Sequence, residues 1–157
     1  MHNKTLVLGV GNPILRDDGV GIHIVRELRR SLVNVDIIEA TVSGLELVEC
    51  LQGYERVLII DAVKTEGGVP GMLYQLDVND ILPLHGMSPH DMDFRTAVEF
   101  GRKYMPNFPG EVTIYGVEVG EITEFGETLT PQVARSIPEV VETIKRYVLT
   151  EWTSEQN

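Results

Sequence analysis

Thr5-Leu6-Val7-Leu8-Gly9-Val10 runs almost without polar interruption into Gly11-Asn12-Pro13. A short apolar run ending in a glycine and proline turn reads as a strand covered on both faces, as in parallel sheets. Outward from it, Val20, Ile24, Leu28 and Leu32 recur every four residues, the apolar stripe of a helix. Val35 to Ala40 predicts a second strand. Ser43-Gly44-Leu45-Glu46 has capping-box spacing ahead of Leu45, Val48 and Leu51, and Gly53 supplies the stop. Val57-Leu58-Ile59-Ile60 is the most hydrophobic strand and is expected to end at Asp61. Gly67 to Gly71 reads as a loop, and Met72 to Leu76 as an extra strand at or near the sheet edge. Ser88-Pro89-His90-Asp91 opens another helix, with a Ser cap, Pro at the first helical position, and Phe94, Ala97, Val98 and Gly101 inward. Val112 to Val119 is the last long strand. Pro131 and the Ser136-Ile137-Pro138-Glu139 box begin a final helix carrying Val140, Val141, Ile144 and Val148. This alternation predicts an α/β fold: a three-layer sandwich whose mainly parallel, twisted sheet carries helices on both faces. Such sheets place sites beyond the carboxyl ends of their strands, where the ends of the first and third strands lie side by side.

With 157 residues, 43% hydrophobic and 24% charged, the chain suits one soluble domain over 1–157, its core spanning about 4–150 before a short polar tail. The apolar runs are strand-sized, too short to span a bilayer, and Met1-His2-Asn3-Lys4 leads into a strand without the features of a secretory signal. Cys50 is the only cysteine, so no disulfide staples the fold; it falls on an apolar helix face and is expected to be buried. A cytoplasmic monomer is expected. A net charge of -11 disfavours phosphate backbones, so nucleic acid is not an expected partner, and cations or basic peptide segments suit the surface better.

Three polar groups stand where the strand-end rule puts a site. Asp17 and Asp18 lie between the first strand and its helix, Asp61 follows the third strand, and His90 lies in the first turn of a later helix. The helix dipole disfavours an imidazolium there, and a neutral imidazole ligates metal. Two carboxylates and an imidazole suit zinc, nickel, iron or manganese, and three protein ligands leave a position open for water or substrate. Without a cation the carboxylates would repel. Each residue also has a plainer use: either Asp17 or Asp18 as a helix cap, Asp61 as a turn residue, and His90 as a surface or capping residue. Gly19 and Gly21 weigh against a simple cap, because two glycines in a first turn indicate a close approach to the backbone. His2, His23 and His85 read as structural. Met87, Met92 and Met105 read as core or loop filler, Tyr104 and Phe108 as packed under a loop, and Val42, Leu45 and Leu47 as core.

Gly9-Val10-Gly11-Asn12-Pro13-Ile14, with Glu39 placed like a ribose-binding acid, invites a dinucleotide site. Ile14 in place of a third glycine, the donor lost at Pro13, and the charge of Asp17 and Asp18 exclude it. Acids after the first strand plus Asp61 also suit a phosphoacceptor signalling domain, but Val112 to Gly120 lacks the Lys that function would need. That domain is the alternative function.

Leu8-Gly9-Val10-Gly11-Asn12-Pro13 followed by Asp17-Asp18-Gly19-Val20-Gly21 resembles the N-terminal signature of the nickel-hydrogenase maturation proteases. Ile59-Ile60-Asp61-Ala62-Val63 and Ser88-Pro89-His90-Asp91 match two further motifs in the same order, so the resemblance covers Lys4 to Val148. It implies an endopeptidase that removes the C-terminal extension of a hydrogenase large-subunit precursor after nickel insertion. By similarity Asp18, Asp61 and His90 take the metal-contacting and catalytic positions, with Gly11, Asn12, Asp17, Gly19 and Gly21 supporting the site loop. Nickel would come with the precursor, and zinc or cadmium would be its substitutes in isolation. Where many members have Gly-Gly-Thr or Gly-Gly-Ser after the second strand, this chain has Glu39-Ala40-Thr41-Val42-Ser43-Gly44.

Overall fold

The computed structural model describes residues 4–41, 44–78 and 89–152, with the backbone alone at 44–45 and 89–94. Its elements are β1 (Thr5–Val10), a 3-10 turn (Arg16–Gly19), α1 (Val20–Leu28), β2 (Asp36–Ala40), α2 (Gly44–Leu51) and β3 (Arg56–Val63). They continue as β4 (Leu73–Asp77), α3 (Pro89–Tyr104), β5 (Glu111–Glu118) and α4 (Pro131–Glu151). The sheet order is β2-β1-β3-β5-β4. Strands β2, β1, β3 and β5 are parallel, and β4 joins the edge antiparallel to β5, from Leu73↔Val117 to Asp77↔Thr113.

Both faces of the sheet are covered, and strand alternation sorts the core into two layers. Val7, Leu58, Ile60, Tyr115 and Val117 pack with α1 and α4, against Val20, Ile24, Leu28, Val140, Ile144 and Val148. Leu6, Leu8, Val57, Ile59, Val112 and Ile114 face the other way, onto Leu47, Val48 and Leu51 of α2 and Ala97 and Val98 of α3. Leu6, Val7 and Leu8 are each completely buried. Such side chains contribute about 1.5–3 kcal/mol each on removal from water, which is why the continuous apolar run becomes an inner strand. Gly101 is buried as expected, beneath the ring of Phe108.

The close approach expected at α1 comes from the protein's own sheet. A Cβ on Gly21 would lie 2.3 Å from the Ile60 carbonyl oxygen and 2.7 Å from that of Val10. The first turn of α1 therefore rests on the ends of β1 and β3. Leu32 stays on the buried stripe beyond the helix, because its N–H bonds to the Leu28 carbonyl at 2.8 Å.

Some boundaries differ from expectation. β3 does not stop at Asp61: it pairs with β5 through Asp61↔Gly116, Ala62↔Val117 and Val63↔Glu118. Hydrophobicity falls at Asp61, but β5 continues to offer backbone partners, and the ladder follows the partner. The final helix is already formed at Pro131, so Ser136 is not a cap; its hydroxyl donates to the Val133 carbonyl at 2.6 Å. Pro138 deletes one helical donor, yet α4 continues because Val133, Val140, Ile144 and Val148 bury its inner face. Cys50 is half-buried, its thiol donating to the Glu46 carbonyl, and burial with Glu49 and Glu46 nearby raises its pKa. Tyr104 is exposed rather than packed under a loop, its ring tilted against that of Phe100 at a 5.0 Å centroid distance. Leu47 is buried as expected, Met105 is half-buried against the second layer, and Ser43 and Val42 lie outside the described residues. No helix among the described residues is long and apolar enough to cross a membrane.

Because both atoms facing Gly21 belong to backbone, Gly21→Ala has no side chain to displace. It is expected to destabilise the protein by about 2–3 kcal/mol, the upper range for overpacking, and to lower the thermal midpoint by roughly 4–12 °C. An unchanged midpoint in a calorimetric scan would refute the contact.

Candidate metal-recognition site

β1 and β3 are neighbours, aligned through Gly9↔Ile60, so Asp61 lies one residue beyond that pair at the carboxyl edge. The 3-10 turn bearing Asp18 packs against β3. The turn carrying Asp18 and the strand carrying Asp61 are thus in contact, although 43 positions separate 18 from 61 in the chain. Asp61 is half-buried, and its Oδ1 accepts the N–H of Ala62 at 2.8 Å. By alternation it shares the face of Val57 and Ile59, the face covered by α2 and α3.

The loop from β1 is built to present Asp18. Gly11 adopts φ +150°, and a Cβ there would lie 2.0 Å from the Asp18 carbonyl oxygen. Asn12 Oδ1 accepts the N–H of Ile14 at 3.2 Å, while the Asn12 N–H donates to Asp18 Oδ2 at 3.0 Å. Gly19 is buried against Pro13. Asp18 is half-buried, whereas Asp17 beside it is completely buried.

Asp17 points inward. Its Oδ2 accepts the N–H groups of Gly120 and Glu121 at 3.0 and 3.2 Å and the Thr130 hydroxyl at 2.7 Å, and its Oδ1 accepts the Thr130 N–H at 2.7 Å. It caps no helix of its own. It holds the 120–130 loop and the start of α4 against the site turn, partners that sequence reading did not single out.

Residue 90 is the second residue of α3, and its side chain lies outside the described residues. The far end of α3 leads into a segment tied to the amino-terminal edge of the sheet, where the Gly53 N–H donates to the Asn107 carbonyl at 2.8 Å. A helix of 16 residues is about 24 Å long, which carries its first turn toward the opposite, carboxyl edge. Among the described residues no group of three or more His, Cys, Asp or Glu side chains forms a metal cluster; two of the expected three members, Asp18 and Asp61, are among them. His23 is half-buried on α1, and its Nε2 is buried with no hydrogen-bond partner among the described residues. His2, His85 and Met87 lie outside the described residues, and so does the Met92 side chain.

Sequence reading also missed Glu118. It is 1% exposed at the end of β5 and accepts the Thr65 N–H at 2.8 Å, the Thr65 hydroxyl, and the Tyr74 hydroxyl at 3.2 Å. An acid in the otherwise apolar Val112–Val119 run was the available signal. Its bonds anchor the loop leaving β3, and Lys64 in that loop donates to the Gly120 carbonyl at 2.8 Å. Glu121 is held at about pKa 2 by the hydroxyl and N–H of Thr123 and the N–H of Glu124, so it is anionic throughout the physiological range.

Glu39, the acid suggestive of a ribose contact, is occupied by Arg26 Nε and Arg29 Nη1, each at 3.0 Å. The Arg26 hydrogen bond, outweighing the effect of burial and joined by Arg29, lowers its pKa below the ordinary 4.5. The sheet also departs from the 2-1-3-4-5 order of parallel receiver folds, since β5 lies inside and the antiparallel β4 at the edge.

A family model described as HycI, hydrogenase maturation protease, matches residues 22–147, a span that includes Asp61 and His90 and begins after Asp18. The chain is 28% identical over 155 residues to the hydrogenase expression/formation protein HupD of Rhizobium leguminosarum bv. viciae, covering 95% of this chain and 75% of that one. It is 28% identical over 146 residues to the hydrogenase 2 maturation protease of Escherichia coli (strain K12), covering 90% and 88%. The solved hydrogenase maturating endopeptidase HybD from E. coli superposes with a TM-score of 0.81 at 28% identity, over 96% of this chain and 94% of that one.

A carboxylate whose folded pKa is depressed stabilises above its unfolded pKa and loses that contribution as pH falls through the folded value. Glu39→Gln is therefore expected to cost about 0.5–1 kcal/mol at pH 7, as for a partly exposed pair, with the difference shrinking as pH drops below 4.5. Urea unfolding of both proteins at pH 7 and pH 3 measures it. An equal difference at both pH values would contradict the ion-pair account.

Proposed function

The chain belongs to the hydrogenase maturation protease family, and from that premise we propose that it removes the C-terminal extension of a nickel-containing hydrogenase large-subunit precursor once nickel is in place. As a maturation protease it is an endopeptidase. The observation that carries the proposal is the contact of the Asp18 turn with β3, the strand that carries Asp61 on its α3-covered face at the carboxyl edge of the sheet.

Asp18 and Asp61 offer oxygen donors and His90 a nitrogen donor to the nickel carried by the precursor. Borderline divalent metals accept such a mixed set, with zinc or cadmium as substitutes in the isolated protein. A precursor without nickel brings no cation to offset two neighbouring carboxylates, so binding is selective for loaded substrate. With the precursor docked, a carboxylate of the pair serves as general base. It takes a proton from water as the oxygen attacks the scissile carbonyl, and the departing amine receives a proton as the C–N bond breaks. The nickel belongs to the substrate and licenses the cut. The Ala40-Thr41 end of β2, where the usual glycine pair is absent, opens beside Gly11, whose N–H donates to the Ala40 carbonyl at 3.1 Å. This border of the substrate path selects the hydrogenase subtype. The reaction takes place in the cytoplasm, where the precursor is assembled, with the protease as a monomer.

Asp18→Ala, Asp61→Ala and His90→Ala are each expected to slow processing by about 100-fold or more, the scale for losing an electrostatic group at a reacting centre, with unchanged far-ultraviolet circular dichroism. Full processing by all three variants would overturn the site. Nickel-loaded precursor is expected to be cut and nickel-free precursor left whole on a gel, so equal cleavage of both would overturn the gating.

A further inference from the structure

Two carboxylates adjacent in sequence leave the same turn for different partners, and the chain geometry just before them explains how. Arg16 sits at φ +49°, a left-handed conformation that a non-glycine residue rarely adopts unless its surroundings impose it. Here the surroundings are a cross-brace to the 120–130 loop. The Arg16 N–H donates to the Gly126 carbonyl at 2.9 Å, the Gly126 N–H to the Ile14 carbonyl at 2.8 Å, and the Asp17 N–H to the Glu121 carbonyl at 3.0 Å. Arg16 Nε adds a bond to the Thr128 carbonyl at 3.3 Å. At the centre of the brace is the Asp17 carboxylate, fully buried and accepting from Gly120, Glu121 and twice from Thr130. Three of these donors are backbone N–H groups, which have nothing else to offer.

We propose that Asp17 is the positioning residue for Asp18: it pins the strained Arg16–Gly19 turn to the 120–130 loop and the start of α4, and so fixes the direction in which Asp18 enters the site. The proposal rests on the reading of Asp18 as a metal-contacting group, but the geometry of Asp18 is measurable apart from that reading. The Asn12 N–H donates directly to Asp18 Oδ2 and reports its place. Asp17→Asn keeps the size of the side chain while turning one acceptor into a donor. Every group around that carboxylate that has a backbone N–H points it inward, so one N–H must face the new amide. The turn then relaxes, and Asp18 moves with it. Thr130→Val removes only the hydroxyl contact, and Thr130→Ser retains it.

The test is the Asn12 amide in nitrogen-15 correlation spectra, together with the affinity of the purified protein for cadmium ion alone. For Asp17→Asn the Asn12 signal is expected to shift toward its place in Asp18→Asn, with cadmium affinity falling about tenfold or more. Thr130→Val is expected to give a smaller change of the same kind and remains informative if Asp17→Asn does not fold, while Thr130→Ser behaves as wild type. Ile144→Val, in the core layer between the sheet and α4, is the control, lowering the thermal midpoint without moving the Asn12 signal. A lower midpoint for the Asp17 and Thr130 variants with the Asn12 signal and cadmium affinity unchanged would reduce Asp17 to a purely structural role and overturn the proposal. If instead Asp18→Ala processes precursor normally while the Asn12 signal still follows Asp17, the functional reading fails and the positioning stands.

Discussion

The contact of Gly21 with the carbonyl oxygens of Val10 and Ile60 is the constraint on which the molecule turns. It brings a helix backbone onto the ends of two neighbouring strands at a distance that no other residue permits. The seam between β1 and β3 is thereby closed on one side by α1. The chain between β1 and α1 has no room to cross that seam, and it folds into the short turn carrying Asp17 and Asp18. The core layer behind it, with Val20, Ile24 and Leu28 against Val7, Leu58 and Ile60, holds the helix down. Helix approach and the start of the site loop both depend on this close packing.

Asp17 and Glu118 show how this fold uses buried acids. Among the described residues neither is matched with a Lys or Arg in a buried ion pair. Asp17 accepts from three backbone N–H groups and a hydroxyl, and Glu118 from one backbone N–H and two hydroxyls. Such groups belong to loops that leave strand ends, where the ladder no longer supplies acceptors, and an unmet buried N–H costs about 1–3 kcal/mol. The carboxylates substitute for the missing ladder. They hold the loops after β3 and β5 against the carboxyl edge, so the surroundings of Asp18 and Asp61 are set by side chains that do not themselves face the edge.

The site draws on segments that meet only when the sheet is complete. Asp18 comes from the first crossover, Asp61 from the middle strand, and α3 from the connection that leads from the antiparallel edge strand back to β5. No local piece of the chain holds more than one of them in place. For a maturation protease this arrangement ties the candidate site residues to the rigid sheet rather than to a free loop. Preorganised donors select a cation by position as well as charge. The net charge of -11 gives the surface a field that favours cations over anions.

Residue order alone carried the α/β class, the inner placement of β1 and β3, the edge position of β4 and the inward residues Ala97, Val98, Ile144 and Val148, because burial on one or two faces writes its period into the sequence. It also singled out Asp18 and Asp61 as candidates, one just ahead of two glycines in a first turn and the other after an apolar strand, although a cap or a turn would use an acid there as well. It stopped β3 short at Asp61 and started α4 from two signals, because ladder pairing and helix packing depend on partners far along the chain. The family resemblance assigned Asp18 rather than Asp17 to the site, but only the tertiary structure gives the physical difference between them. Both are the same residue in the same turn, and what distinguishes them is which one meets Gly120, Glu121 and Thr130, more than a hundred positions away. That meeting is a property of packing in three dimensions, and no periodicity or local propensity encodes it.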